Sequence, residues 1–367
     1  MEYEPPFLES YKSLLQSSLG ADVGIISDTR NDKSSMVERC ELPLIDLCRL
    51  SDDHFEREEC MKEIIGAART WGFFQVVNHG VPQELLRSLQ YEQMKVFRIP
   101  FASKSQKNFL NLPARSYRWG NPFATNLSQI SWSEAFHMFL PDIAKIEQHQ
   151  SLRSSIEAFA SVVAPLAETL VHILAQKLNI KFSYFQENCS AKTSFLRLNR
   201  YPPCPFPSKV FGLLPHSDSS FLTIVHQDHI GGLQLMKDGI WFGIKPNPAA
   251  LVINIGDLFQ ALSNDIYKSA RHRVVAAEKV ERFSVAYFFN PSKDAVIESQ
   301  MMPSLYRKFT FGEYKEQTEK DVKETGDKVG LSRFLLHKQR TMTPQENFEQ
   351  NAMSLSHLII DAGIRTT

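Results

Sequence analysis

The strongest pattern in the chain lies between residues 151 and 178. Leu152, Ile156, Phe159, Val163, Leu166, Leu170 and Ile173 recur at alternating steps of four and three, which gathers them on one face of an α-helix. Pro165 falls inside this run and predicts a kink or a break into two helices, because it lacks an N–H and its ring crowds the preceding turn. Upstream, residues 53–69 read as helix. Pro82 opens another helix, with Leu85, Leu89, Met94 and Phe97 facing inward. "ELPLIDL" (41–47) and "WGFFQVVNHG" (71–80) read as short apolar strands, the second closed by Gly80.

After residue 190 the period changes from helical to extended. "TSFLRLNRY", "FLTIVHQD", "GLQLMKD", "IWFGIKP", "ALVINIG", "RHRVVAA" and "RFSVAYFFN" follow one another with turn residues between them. Asp238-Gly239 is a good hairpin turn. Helices in the first half and strands in the second predict a mainly β fold, a sandwich or barrel wrapped by N-terminal helices, rather than alternating βαβ units. The expected organisation is a mobile leader over 1–40, an N-terminal region over 41–150 and a long helical segment over 151–190. The β-rich core then covers 191–295, a helical region 296–337, and a tail without fold assignment 338–367.

Composition narrows the function more than the fold. Lys+Arg and Asp+Glu both number 41 in 367 residues, so the field has no preferred sign and a general nucleic-acid partner is not expected. Five scattered cysteines, with no CxxC pair, suggest neither a zinc ribbon nor a disulfide framework. No apolar signal core opens the chain, and no run of about 18 apolar residues is evident. The expectation is a cytoplasmic protein without a membrane partner.

Candidate chemistry sits in "LPHSDSSFLTIVHQDHIGGLQL" (214–235). His216 and Asp218 are two apart, so on an extended segment both side chains leave one face. With His272, at the start of "RHRVV", they make two imidazoles and a carboxylate, the facial set that leaves positions open on non-haem Fe(II). Read alone, a His-x-Asp pair is most often an ordinary strand pair. Zinc hydrolases also use such ligands, but no HExxH motif is present. His226 and His229 are the local competitors; at about 3.3 Å per strand residue they fall some 30 Å from His216, and they read as polar edge residues. Phe221, Leu222 and Thr223 read as core strand residues, and Gly256-Asp257 as a supporting turn. Arg282 and Ser284 share a strand face, and a guanidinium can clamp a carboxylate with two bonds while the hydroxyl adds a third. The alternative for Arg282 is a surface cation opposite Glu281 or Glu278. Tyr201, closing "LRLNRY", adds a phenolic donor.

The runs "NRYPPCPFPSKVFGLLPHSDSSFLTIVHQDHIGGLQL", "WFGIKPNPAALVINIGDLFQALSNDIYKSARHRVV" and "ERFSVAYFFNPSKDAVI", with "LPLIDL" and "WGFFQVVNHGVP" upstream, resemble the plant Fe(II)/2-oxoglutarate-dependent dioxygenases over roughly residues 40–336. Within that family, "SYRWGNPFATNLSQISWSEAFH" (116–137) is similar to the gibberellin 2-oxidases, in particular the class acting on C20 gibberellins. The resemblance implies a distorted double-stranded β-helix, or jelly roll. It implies His216, Asp218 and His272 as iron ligands, and Arg282 and Ser284 on the distal carboxylate of 2-oxoglutarate. Tyr201 would assist there, with Asn199 beside it. Fe(II), 2-oxoglutarate and O2 would be required, with ascorbate supporting activity. The implied reaction is 2β-hydroxylation of a diterpenoid acid, inactivating the hormone pathway, coupled to decarboxylation of 2-oxoglutarate to succinate and CO2. The rivals are oxidation at another gibberellin carbon (a 20- or 3-oxidase), a flavonoid or alkaloid oxygenase, and a non-catalytic hormone- or metal-binding protein. Ser217 stands where the family more often has Thr, and the tail after His337 has no counterpart in the family pattern.

Substrate contacts are sought in two places. Tyr117, Arg118 and Trp119 would give a cation between two aromatic walls, or else a packed connecting loop anchored by Trp119. Tyr287 and Phe289 join the face of Ser284 only if their strand bulges, and otherwise belong to the core.

Overall fold

The computed structural model describes residues 2–19, 38–121, 124–178, 180–181 and 183–336. The tail 338–367 and most of the 19–40 stretch lie outside these residues. Thirteen strands form two sheets: β1 (Glu38–Cys40), β2 (Leu44–Asp46), β3 (Phe73–Val77), β4 (Tyr117–Trp119), β5 (Glu134–Phe139), β6 (Phe195–Tyr201), β7 (Phe211–His216), β8 (Leu222–Gln227), β9 (Leu233–Lys237), β10 (Ile240–Ile244), β11 (Leu251–Ile255), β12 (His272–Val275) and β13 (Arg282–Phe289). The larger sheet runs β2-β3-β11-β8-β13-β6-β5-β4 and the smaller β1-β10-β9-β12-β7. All seven β-rich runs seen after residue 190 become strands, in the sheet-rich arrangement of a jelly-roll core. The β9–β10 hairpin turns at Asp238 and Gly239, both at positive φ (51° and 80°), as a two-residue turn between right-twisted strands requires. The division into helical and β halves is less clean than expected, because β1–β5 add strands from the first half to both sheets.

Period-2 alternation gives the larger sheet two different faces. On β13, Phe283, Val285, Tyr287 and Phe289 enter the main hydrophobic core, while Arg282, Ser284, Ala286 and Phe288 face a cavity. On β6, Leu196 and Leu198 join the core, while Phe195, Arg197, Asn199 and Tyr201 face the cavity. The core face is covered by the helices His54–Thr70, Gln83–Phe97 and Gln150–Gln176.

Gln150–Gln176 is one unbroken helix with Pro165 inside it. Pro165 lies on the exposed side, where a carbonyl deprived of its N–H partner can meet water, so the expected break does not occur. This helix is long and apolar enough to cross a bilayer by composition alone, contrary to the expectation; its apolar stripe is buried against the sheet, from Leu152 through Phe159 to Leu174. In Gln83–Phe97 the buried positions are Leu86, Leu89, Glu92, Gln93, Val96 and Phe97, with Leu85 and Met94 only partly covered.

Residues 2–19, expected as part of a mobile leader, instead form two short helices, Phe7–Ser10 and Lys12–Leu19, that pack on the sheet. Phe7 stacks on Trp132 with centroids 4.6 Å apart. Glu4 reaches Arg200 at 2.7 Å. That contact belongs to a buried charge network in which Glu134 binds Lys104 and Arg200, each at 2.7 Å, and Arg200 also binds Glu281 at 2.9 Å. Lys104 completes its donors on the carbonyl oxygens of Phe97 and Tyr3. Glu134→Ala is therefore expected to leave the buried Lys104 without its carboxylate, while Arg200 keeps Glu4 and Glu281, and to destabilise the fold by about 3–5 kcal/mol, read as a lowered urea midpoint.

Candidate metal centre and active site

β7 and β12 pair antiparallel with His216 directly opposite His272. Two strands far apart in the chain therefore bring both imidazoles to one point, with ring centroids 4.3 Å apart. Asp218 Oδ1 lies 3.6 Å from His216 Nε2 and 3.8 Å from His272 Nε2. All three candidate ligand atoms lie within 4.8 Å of one another, the spacing of a group that could hold one ion. Among the described residues, no other group of three His, Cys, Asp or Glu side chains converges in this way.

The surroundings prepare each ligand atom. His216 Nδ1 meets the carbonyl oxygen of Leu214 at 2.7 Å, and His272 Nδ1 that of Ala270 at 3.1 Å. A carbonyl only accepts, so each Nδ1 carries the proton and each Nε2 keeps a lone pair for the centre. Burial, and then the neighbouring His272, hold His216 well below its ordinary range, so it is neutral. Burial alone would raise Asp218, but the two imidazoles and hydrogen bonds from Asn254 and Thr223 outweigh it and keep the carboxylate ionised. Asp218 Oδ2 accepts from Thr223 Oγ1 at 2.7 Å and from Asn254 Nδ2 at 2.8 Å, leaving Oδ1 for an ion.

A second polar group lines the same cavity, whose volume is about 590 Å³. The β6–β13 register sets Tyr201 opposite Arg282 and Asn199 opposite Ser284. Arg282 is 3% exposed, so it is not the surface cation considered above; Glu281 pairs instead with Arg98 and Arg200. Its Nη2 donates to Gln227 Oε1 at 2.8 Å, Nη1 lies 3.4 Å from Ser284 Oγ, and the guanidinium carbon sits 4.9 Å from the Tyr201 ring centre. Arg282 Nε and Gln227 Nε2 are buried with no hydrogen-bond partner among the described residues. A buried guanidinium without a carboxylate is costly, and the group fits one end of a small dicarboxylate. Behind it, Gln93 Nε2 bridges the carbonyl oxygens of Asn199 and Ser284 at 2.9 and 3.0 Å.

The other expected residues divide. Arg118 lines the cavity mouth and is exposed. Tyr117 and Trp119 alternate to the opposite face of β4: Tyr117 donates to Glu134 Oε2, and Trp119 packs against Phe7 and Phe101. The two-sided aromatic clamp on Arg118 therefore does not form. Tyr287 and Phe289 are core residues, since β13 carries no bulge in its pairing with β6 or β8; Ala286 and Phe288 line the cavity in their place. Thr223 is not merely core, because its hydroxyl holds Asp218. His226 is no edge residue: it is buried on β8 between β11 and β13, and burial pushes it down to about 4. His229 is exposed in the turn after β8.

Sequence reasoning missed Asn254, Gln227, Arg197, His137, Lys315 and Lys328. Asn254 had a visible signal, a lone amide inside the apolar run "LVINI". The others carry no local signal: Gln227 meets the site only through Arg282, and the approach of distant strands and of the segment 311–328 brings the rest to the cavity.

Residues 192–291 match the 2OG-Fe(II) oxygenase superfamily, and residues 42–155 match the family described as non-haem dioxygenase in morphine synthesis N-terminal. The chain is 51% identical to gibberellin 2-beta-dioxygenase 8 of Arabidopsis thaliana over 91% of its own length and 99% of that protein's. The chain belongs to the 2OG-Fe(II) oxygenase superfamily. Gibberellin 2-beta-dioxygenase 6 of Oryza sativa subsp. japonica is 44% identical, over 91% of this chain and 96% of that one. The crystal structure of JOX2 in complex with 2OG, Fe and JA superposes with a TM-score of 0.67 at 32% identity, covering 86% of this chain and 94% of JOX2.

This oxygenase is an Fe(II)/2-oxoglutarate-dependent dioxygenase. Iron, when bound, supplies the centre at which O2 and 2-oxoglutarate are consumed and a substrate C–H bond is oxidised. His216, Asp218 and His272 would hold that iron through two imidazole Nε2 atoms and one carboxylate oxygen, with the remaining positions open, and the buried Arg282 would take a carboxylate. His216→Ala, Asp218→Ala and His272→Ala are each expected to abolish turnover with an unchanged circular dichroism spectrum; activity retained in any one removes that residue from the centre. Arg282→Lys is expected to raise the KM for 2-oxoglutarate about ten- to hundred-fold, because a point charge cannot replace a two-pronged clamp. An unchanged KM would move the contact elsewhere.

Proposed function

We propose that this dioxygenase 2β-hydroxylates gibberellins, acting on C20 precursors in preference to C19 forms, and so drains the hormone pathway. In this reading His216, Asp218 and His272 hold the iron. Arg282 and Ser284, with Tyr201 and Asn199 beside them, hold 2-oxoglutarate. The likeness to gibberellin 2-beta-dioxygenases over nearly the whole chain supports the reaction.

The observation that carries the substrate class is the charge of the cavity. Arg118, Arg197 and Lys315 all line it, and against these three cations stands Glu319, one helical turn on from Lys315 and acting on it. Arg197 Nε is buried with no hydrogen-bond partner among the described residues. His137 lies among these three cations; burial first, and then their charge, push it down to about 3. An apolar wall of Phe139, Phe195, Leu213, Val225 and Phe288 completes the space. A diterpenoid acid fits both features, its skeleton against the rings and its carboxylates on the cations. C20 precursors carry a free carboxylate that C19 forms have closed into a lactone, so spare cations favour the former. A cytosolic location belongs to the same reading and is supported by five free thiols.

Incubation with a panel of C20 and C19 gibberellins, with products identified by mass spectrometry, tests the proposal. Faster turnover of C19 forms would remove the preference, and oxidation at another carbon would remove the 2β assignment. Arg197→Met is expected to raise the gibberellin KM more than Arg118→Ala does, since Arg118 is exposed, while the KM for 2-oxoglutarate stays put in both.

A further inference from the structure

One carboxylate oxygen ties the metal loop to the C-terminal part of the chain. Asp257 Oδ2 accepts from Ser217 Oγ at 3.0 Å, from Lys328 Nζ at 2.7 Å and from the hydroxyl of Tyr314. The same Lys328 ammonium donates to the carbonyl oxygen of Ser217 at 2.7 Å. The Asp257 N–H donates to the carbonyl oxygen of Asp218 at 2.8 Å. Ser217 sits between two of the three candidate ligands, so side chain and backbone of the His216–Asp218 loop are both held from one node. The approach is close: a Cβ added at Gly256 would fall 2.0 Å from the Ser220 carbonyl oxygen.

The node's other half comes from far along the chain. Tyr314 is fully buried in the helix Phe311–Thr325, which starts with a capping box at Thr310 and Glu313 and ends at Gly326 with φ 78°. Lys328 follows in the next turn, its side chain 12% exposed. Phe311, Lys315, Thr318, Glu319 and Lys328 of this segment form one wall of the cavity. A lysine beside a divalent-ion site is opposed by like charge; Asp257 neutralises it and leaves it free to act as a tether.

We propose that Lys328 and Asp257 are positioning residues that seat the C-terminal wall and pre-set the His216–Asp218 loop as one unit, so that metal binding and closure of the wall are coupled. The coupling is reciprocal by linkage: whatever orders the loop orders the wall, and the converse. This rests on His216, Asp218 and His272 being the metal ligands, but not on the identity of the substrate.

The test uses Co(II) as the probe, followed by its visible absorption, together with hydrogen exchange of the metal-free protein. Lys328→Met keeps the stem beside Tyr314 and removes only the ammonium. It is expected to weaken Co(II) binding roughly tenfold or more, the loss of a charge-assisted bond, and to speed exchange in residues 214–220 as well as in 311–334. Tyr314→Phe should shift both readouts in the same direction by less, and Lys328→Arg should restore part of the loss. Parent-like Co(II) affinity in Lys328→Met, or faster exchange confined to 311–334, would overturn the coupling. Co(II) binding by the parent that survives His272→Ala would instead overturn the ligand assignment, and this inference with it.

Discussion

The pairing of β7 with β12 is the constraint on which the site depends. It sets His216 against His272 across a single rung of the smaller sheet. Because side chains alternate with period 2, a slip of one residue would turn an imidazole to the opposite face. β12 is held on its other side by β9, with His272 also opposite Leu235, so the register is fixed from both edges. The first register irregularity of the β7–β12 pair lies between His272 and Val274, directly beside that rung, and a second follows between Val274 and Val275.

The larger sheet supplies the rest by using its two faces differently. One face is sealed by helices and carries the hydrophobic core; the other is lined with arginine, asparagine, tyrosine and serine. Strands β6 and β13 thus serve stability and chemistry at alternate positions, and rigidity generated on one side is transmitted to groups on the other. Gln93 makes the link direct, reaching from a core helix to the backbone of Asn199 and Ser284.

Buried charges separate structural from functional roles. Arg200 and Lys104 are as buried as Arg282, yet their donors end on carboxylates and carbonyls of the chain itself. Arg282 and Arg197 each keep a buried Nε–H without a partner among the described residues. A folded protein rarely leaves such donors empty, and both arginines line the cavity. Adjacent residues of one strand, Arg200 and Tyr201, fall on opposite sides of this divide.

The sequence by itself determined seven strands after residue 190, though not β7 (Phe211–His216), together with the long amphipathic helix and the residue types of the two polar clusters. Period-2 and period-3.6 patterns are local, and His-x-Asp and Arg-x-Ser carry their own face relation. Alternation along β13 likewise contained the answer for Tyr287 and Phe289, which share the face of Phe283 in any regular strand. What lay beyond the sequence was every relation between faces of different elements. Nothing near Thr223 announces that its hydroxyl will hold Asp218, and nothing near Lys328 announces the metal loop. Tyr117 and Trp119 looked like walls for Arg118, but a short strand sends neighbours to opposite sides, and only the tertiary structure decided which side was the cavity. Local periodicity chooses a residue's face; the packing of distant strands chooses what that face meets.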